Sequence, residues 1–202
     1  PSDAVLLPWL AGTAAGDAPR PNTNPYVNHL LTLYSQSRRT NAGTRGLDAM
    51  AEQTYVDTLL DLELLPAALR GEFSLVIITG NAGDGKTAFL QQLETAANKA
   101  GAAMAGSATN GRQFTLHGRT YVTNYDGSQD AGDQANDQVL AAFFAPFRGD
   151  AAGWPRDEVR LIAINEGRLV DFLTAHAADF GSLRAIVDQG LKTGAPADGV
   201  TV

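Results

Sequence analysis

One stretch restricts the fold more than any other. Phe73 to Thr79 (FSLVIIT) is a nearly unbroken apolar run, and Gly80-Asn81-Ala82-Gly83-Asp84-Gly85-Lys86-Thr87 follows at once. Beyond it, Phe89, Leu90, Leu93 and Ala97 recur at helical spacing until Gly101. A strand is apolar on both sides only when both its faces are covered, as in a parallel sheet. Parallel neighbours in turn need crossover connections, usually helices. The segment therefore predicts a strand over 73–79, a glycine-rich turn, and a helix over 86–99 stopped by Gly101.

The turn matches G-x-x-x-x-G-K-[ST] in full, in the strand–turn–helix setting that pattern requires. Its glycines let the backbone curl so that successive N–H groups point inward, and the helix N-terminus adds partial positive charge. That is a cradle for phosphate. Lys86 is the residue to reach the outer phosphates, and the Thr87 hydroxyl the one to coordinate Mg²⁺. The candidate ATP-binding set is thus Gly80, Asn81, Ala82, Gly83, Asp84, Gly85, Lys86 and Thr87, with Ala88 in the first helical turn. The plain alternative is a glycine-rich turn with an incidental lysine.

A second apolar run, Val159 to Asn165 (VRLIAIN), precedes Glu166. It predicts a strand parallel to 73–79, with both C-terminal ends facing one site. An acid there polarises an attacking water, while its neighbour holds the cation. Glu166 takes the first role. Asn165 takes the second, offering an amide oxygen but no charge. Asp126 is a displaced candidate, although before Gly127 it reads more simply as a turn residue.

Around these segments the pattern alternates between strands and helices, which is the α/β class. Residues 1–25 hold five of the nine prolines and read as an extended arm. Residues 26–72 form a helical linker, with a helix over Leu47–Leu65 ended by Pro66. The core spans 73–202. Within it, 102–112 reads as a loop, Phe114–Leu116 and Thr120–Asn124 as a hairpin or one strand, and Gly127–Asp137 as an acidic loop. A helix over Val139–Phe147, another near Leu169–Ala178, one capped by Ser182 and a strand starting at Val200 complete it.

The chain has 202 residues, 44% of them hydrophobic, enough for one domain with a sizeable core. Its 22 acidic and 15 basic residues give a formal charge of −7, which does not support direct nucleic-acid binding through a broad basic face. The absence of cysteine removes disulfides and thiolate chemistry, and suits a reducing cytoplasm. His29, His117 and His176 lack ligand spacing. No apolar run is long enough for a membrane span. The apolar, β-branched ending at Val202 is expected of a piece cut from a longer protein.

TGNAGDGKT and INEG, about eighty residues apart, resemble the additional-strand class of P-loop ATPases, the AAA+ and STAND group. More particularly, they are similar to bacterial defence ATPases of the DNA-phosphorothioation-dependent restriction type. The resemblance implies a three-layer P-loop NTPase fold with a mainly parallel sheet, here stopping before the sensor strand and lid. It also implies an adenine pocket from Gly43 to Asp48, with Gly46 and Leu47 against the base, although that segment reads equally as a loop before a helix. Self-association or assembly with other subunits is implied too, because arginine fingers in this class come from a neighbour. The expected function is an ATP-binding and ATP-hydrolysing module. A non-hydrolysing switch is the alternative, and a small-molecule phosphotransferase a third, disfavoured because such enzymes place the loop near the N-terminus.

Overall fold

The computed structural model describes residues 58–81, 83–108, 110–129 and 135–202. The proposed arm, the Gly46–Leu47 pocket, most of the 47–65 helix and Ala82 lie outside the described residues. Everything below belongs to the compact unit Ala51–Val202.

A π-helical stretch, Leu60–Leu64, runs directly into α1 (Leu65–Leu69). Then come β1 (Leu75–Ile78), α2 (Lys86–Lys99), β2 (Ala103–Ala108), β3 (Gly111–Leu116) and β4 (Arg119–Asn124). α3 (Asn136–Phe144), β5 (Glu158–Ala163), α4 (Glu166–Ala175), α5 (Ala177–Thr193) and the short β6 (Val200–Thr201) complete the order. The strands form one sheet in the order β2-β3-β4-β5-β1-β6. β4, β5, β1 and β6 are parallel, while β2 and β3 extend the sheet as an antiparallel meander.

Alternation along β1 sorts the core into two layers. Leu75 and Ile77 face α3, α4 and α5, with Phe144, Phe172, Phe180 and Val187 among the residues packed there. Val76 and Ile78 face α1 and α2, against Phe89, Leu90, Leu93 and Ala97. All four β1 residues are buried, as the unbroken apolar run requires. The expected α/β class with a mainly parallel sheet is therefore found, and helices cover both faces. Among the described residues, no helix is long and apolar enough to cross a membrane.

Several boundaries differ from expectation, each for a local reason. The 102–112 segment is not a loop: it supplies β2 and the start of β3. Its run Ala-Met-Ala-Gly-Ser-Ala has no β-branched or aromatic residue, so nothing in it reads as a strand; pairing with β3 makes it one. Pro66 does not end its helix. The π-helical bond from the Leu65 N–H to the Leu60 carbonyl resets the register, so Pro66 falls in the first turn of α1, where its missing N–H costs nothing. Ser182 caps nothing; α5 already begins at Ala177, and the irregularity sits at Phe180. The hairpin alternative for 114–124 is the observed one, turning on His117 and Gly118, both at positive φ.

Candidate functional site

β1 and β5 are adjacent and parallel, with Ile78 opposite Ala163, and the Ile164 N–H donates to the Ile78 carbonyl at 3.0 Å. The helices after these two strands leave to opposite faces: α2 packs with Val76 and Ile78, α4 with Leu75 and Ile77. Such a switch in direction opens a crevice beyond the carboxyl ends of the strands, where α/β sheets take their ligands. The 80–87 loop leaves from this point, and Asn165 and Glu166 follow the neighbouring strand. The expected pairing of the two apolar runs is thus observed.

Inside the loop, Gly80, Gly83 and Gly85 have φ of 142°, 93° and 79°, conformations that side chains strongly disfavour. A Cβ on Gly80 would also lie 2.7 Å from Asp84 Oδ2. Asp84 accepts the Asn81 N–H at 2.5 Å, so the loop bonds to itself across its mouth. The Lys86 ammonium donates to the carbonyls of Gly80 at 2.9 Å and Asn81 at 2.5 Å. Two of its three donors are therefore spent on the loop, and one is left for a ligand. Lys86 opens α2, whose N-terminal amides, like those of any helix, have no partner within the helix.

The Thr87 hydroxyl donates to the Tyr125 carbonyl, one residue beyond β4, at 3.1 Å. With its proton committed there, its lone pairs are available to a hard cation. The Asn165 side chain is the N-cap of α4, accepting the Arg168 N–H at 3.3 Å. Its amide oxygen keeps a second lone pair. Glu166 is exposed in the first turn of α4, where a helix terminus favours negative charge. Asp126 acts in its own turn: Oδ1 accepts the Ser128 N–H at 2.9 Å, the local bond a turn aspartate makes. Gly127, two residues beyond Tyr125, lies so close against β5 that a Cβ there would meet Ile162 Cδ1 at 2.8 Å. Among the described residues, no cluster of three or more His, Cys, Asp or Glu side chains could hold a metal alone.

Behind the loop lies a buried polar group that sequence reasoning missed. Glu94, on α2, is only 5% exposed. Its Oε1 accepts the Thr123 hydroxyl at 2.6 Å, its Oε2 accepts the Tyr125 phenol at 2.7 Å, and Arg112 Nε stands 3.6 Å away. Burial first, then the hydrogen bond to Glu94 and its charge, push the Tyr125 phenol far above the ordinary tyrosine range. It is a neutral donor at every physiological pH. The available signal was a charged residue inside the apolar stripe Phe89, Leu90, Leu93, Ala97.

On the other face, Arg168 binds the Asp137 carboxyl and donates to Asn136 Oδ1 at 2.6 Å. Arg148 stacks over Phe180 and stands 3.9 Å from Asp179. Both guanidinium groups are thereby tied to neighbouring side chains of this face. Comparison with protein-family models, with curated proteins and with solved structures gives no significant match. The functional reading therefore rests on residues and geometry.

Proposed function

We propose that the chain binds ATP with Mg²⁺ at Gly80–Thr87 and hydrolyses it, as one module of a larger bacterial assembly of the defence type. The observation that carries the reading is a complete G-x-x-x-x-G-K-T loop at the carboxyl end of a fully buried parallel strand, at the point where adjacent strands send their helices to opposite faces. A three-layer P-loop NTPase fold is the finer description that these features support.

Phosphates would be held by the loop amides, the N-terminus of α2 and the remaining Lys86 donor. Thr87 suits a cation because its proton is already committed to Tyr125. The free lone pair of Asn165 can serve the cation or one of its waters. Mg²⁺ would neutralise charge on the phosphates, and Glu166 is the group to take a proton from water. Gly46 and Leu47 remain the proposed adenine contacts, and self-association the proposed partnership. Charge gives no support to nucleic acid as a direct ligand.

One observation favours a second reading, a switch that binds ATP without hydrolysing it. Asn165 brings no charge and is already occupied in capping α4. Calorimetric titration tests the shared core of both readings. Lys86→Ala should abolish measurable ATP binding, and unchanged affinity would overturn them together. Turnover by the wild-type protein separates one reading from the other.

A further inference from the structure

We infer that Tyr125 is a positioning residue for the Thr87 hydroxyl, anchored by the buried Glu94 carboxyl, so that the end of β4 sets how firmly the loop takes up a divalent cation with its nucleotide. The inference rests on the ATP and Mg²⁺ reading of the loop and deepens it.

Thr87 and Glu94 are seven residues apart, two helical turns, so they share one face of α2. Both reach the same residue. Thr87 donates to the Tyr125 carbonyl at 3.1 Å, and the Tyr125 phenol donates to Glu94 Oε2 at 2.7 Å. A hydroxyl has one proton and two lone pairs, so where the proton goes decides where the lone pairs point. A threonine at a helix start has a competing acceptor in the carbonyl one turn back. The Tyr125 carbonyl takes the proton instead and leaves the oxygen free for a hard cation.

That carbonyl is not held by the strand ladder. β4 pairs with β5 only as far as Asn124 opposite Ile162, one residue short of Tyr125. Its position is fixed by the Tyr125 N–H bond to the Asn110 carbonyl at 3.2 Å, by the Asp126 N–H of the same peptide unit on Asn124 Oδ1 at 3.1 Å, and by the phenol on Glu94. Glu94 is itself held, because its other oxygen takes the Thr123 hydroxyl at 2.6 Å and Arg112 flanks it. The chain of contacts therefore runs from β3 and β4 through Glu94 and Tyr125 to the cation-facing hydroxyl.

Groups that orient a metal ligand commonly change metal affinity by roughly 10–100-fold when removed. The test is calorimetry of ATP binding to the whole chain, once with excess Mg²⁺ and once with EDTA. Tyr125→Phe deletes one phenol oxygen and leaves the backbone carbonyl in place. Metal-free ATP affinity should stay within about twofold of wild type, while the gain on adding Mg²⁺ falls roughly tenfold. Glu94→Gln should shift the gain in the same direction. In a Thr87→Ala background, Tyr125→Phe should have no further effect on the gain, because the hydroxyl it positions is gone.

A merely structural tie gives a different pattern. If Tyr125→Phe weakens ATP equally with and without Mg²⁺, leaves the gain untouched, or lowers it by the same factor in the Thr87→Ala background, the inference is overturned. Should Glu94→Gln fail to fold, Tyr125→Phe decides alone. A wild-type protein that binds no ATP in either buffer overturns the site reading, and the inference with it. Wild-type binding with an unaltered Mg²⁺ gain in Tyr125→Phe overturns the inference only.

Discussion

Among single residues, the assignment of the water-activating group has the sharpest consequence. An amide has no proton-accepting pKa near neutrality, so Asn165 can orient a cation or its water but not take a proton. Asp126 has a carboxyl, yet one of its oxygens already serves the Ser128 N–H. Glu166 combines a carboxyl with exposure at the carboxyl end of β5, beside the strand that feeds the loop. Removing a positioned base costs about 10²–10⁴ in rate, whereas the proposed phosphate contacts lie in the 80–87 loop. Glu166→Gln should keep ATP affinity within a few-fold of wild type and eliminate turnover in a phosphate-release assay. Wild-type turnover in that variant would move the role to Asp126, whose neighbour Tyr125 contacts Thr87.

Whole elements divide by how their ends are specified. α2 begins and ends where the residues say, Lys86–Lys99, because glycine stands at both boundaries and the apolar stripe lies between. β1 and β5 are legible because strands buried on both faces leave an unbroken apolar run. β2 is invisible because its small residues carry no propensity, and only the neighbouring strand orders it. The strand–turn–helix setting of the loop was legible from the apolar run, the glycine spacing and the helical stripe that follows. The Glu94–Tyr125 contact was not, since it joins residues 31 positions apart that only the fold brings together. α4 offers a test of the same division. Its start lies three residues earlier than periodicity suggests, because Asn165 caps it. Asn165→Ala should cost about 0.5–2 kcal/mol in urea denaturation, and Asn165→Asp should cost little, since aspartate caps as well and suits the helix dipole. A stable Asn165→Ala protein would remove the capping role and strengthen a cation role.

Across the whole molecule, the two faces of the sheet should respond to opposite ends of the pH scale. On the α3–α4–α5 face, hydrogen bonding by Arg168, and then its charge, holds the Asp137 carboxyl below its ordinary value of 3.8. A depressed carboxyl adds stability above its unfolded pKa and loses it as pH falls through the folded one. Asp137 is 54% exposed and Arg168 27%, so solvent screens the pair and its share is small. On the α1–α2 face, burial raises the phenols of Tyr121 and Tyr125 above the ordinary 10.0, with Glu94 adding to the effect at Tyr125. Here the native state holds its protons longer than the unfolded chain does. The contribution is complete below about pH 10 and is lost as pH rises beyond it, so the slope of stability against pH turns negative there. Urea denaturation across a pH series should therefore show a plateau that falls shallowly in acid and more steeply in alkali. Asp137→Asn should flatten only the acid limb, by removing the carboxyl that the unfolded chain protonates first. Tyr125→Phe should flatten only the alkaline limb, because phenylalanine has no proton to lose in either state. If Tyr125→Phe leaves the alkaline slope at its wild-type value, the phenol is not shielded beneath α2, and the contact that joins the sheet edge to the loop is weaker than the distances to Glu94 imply.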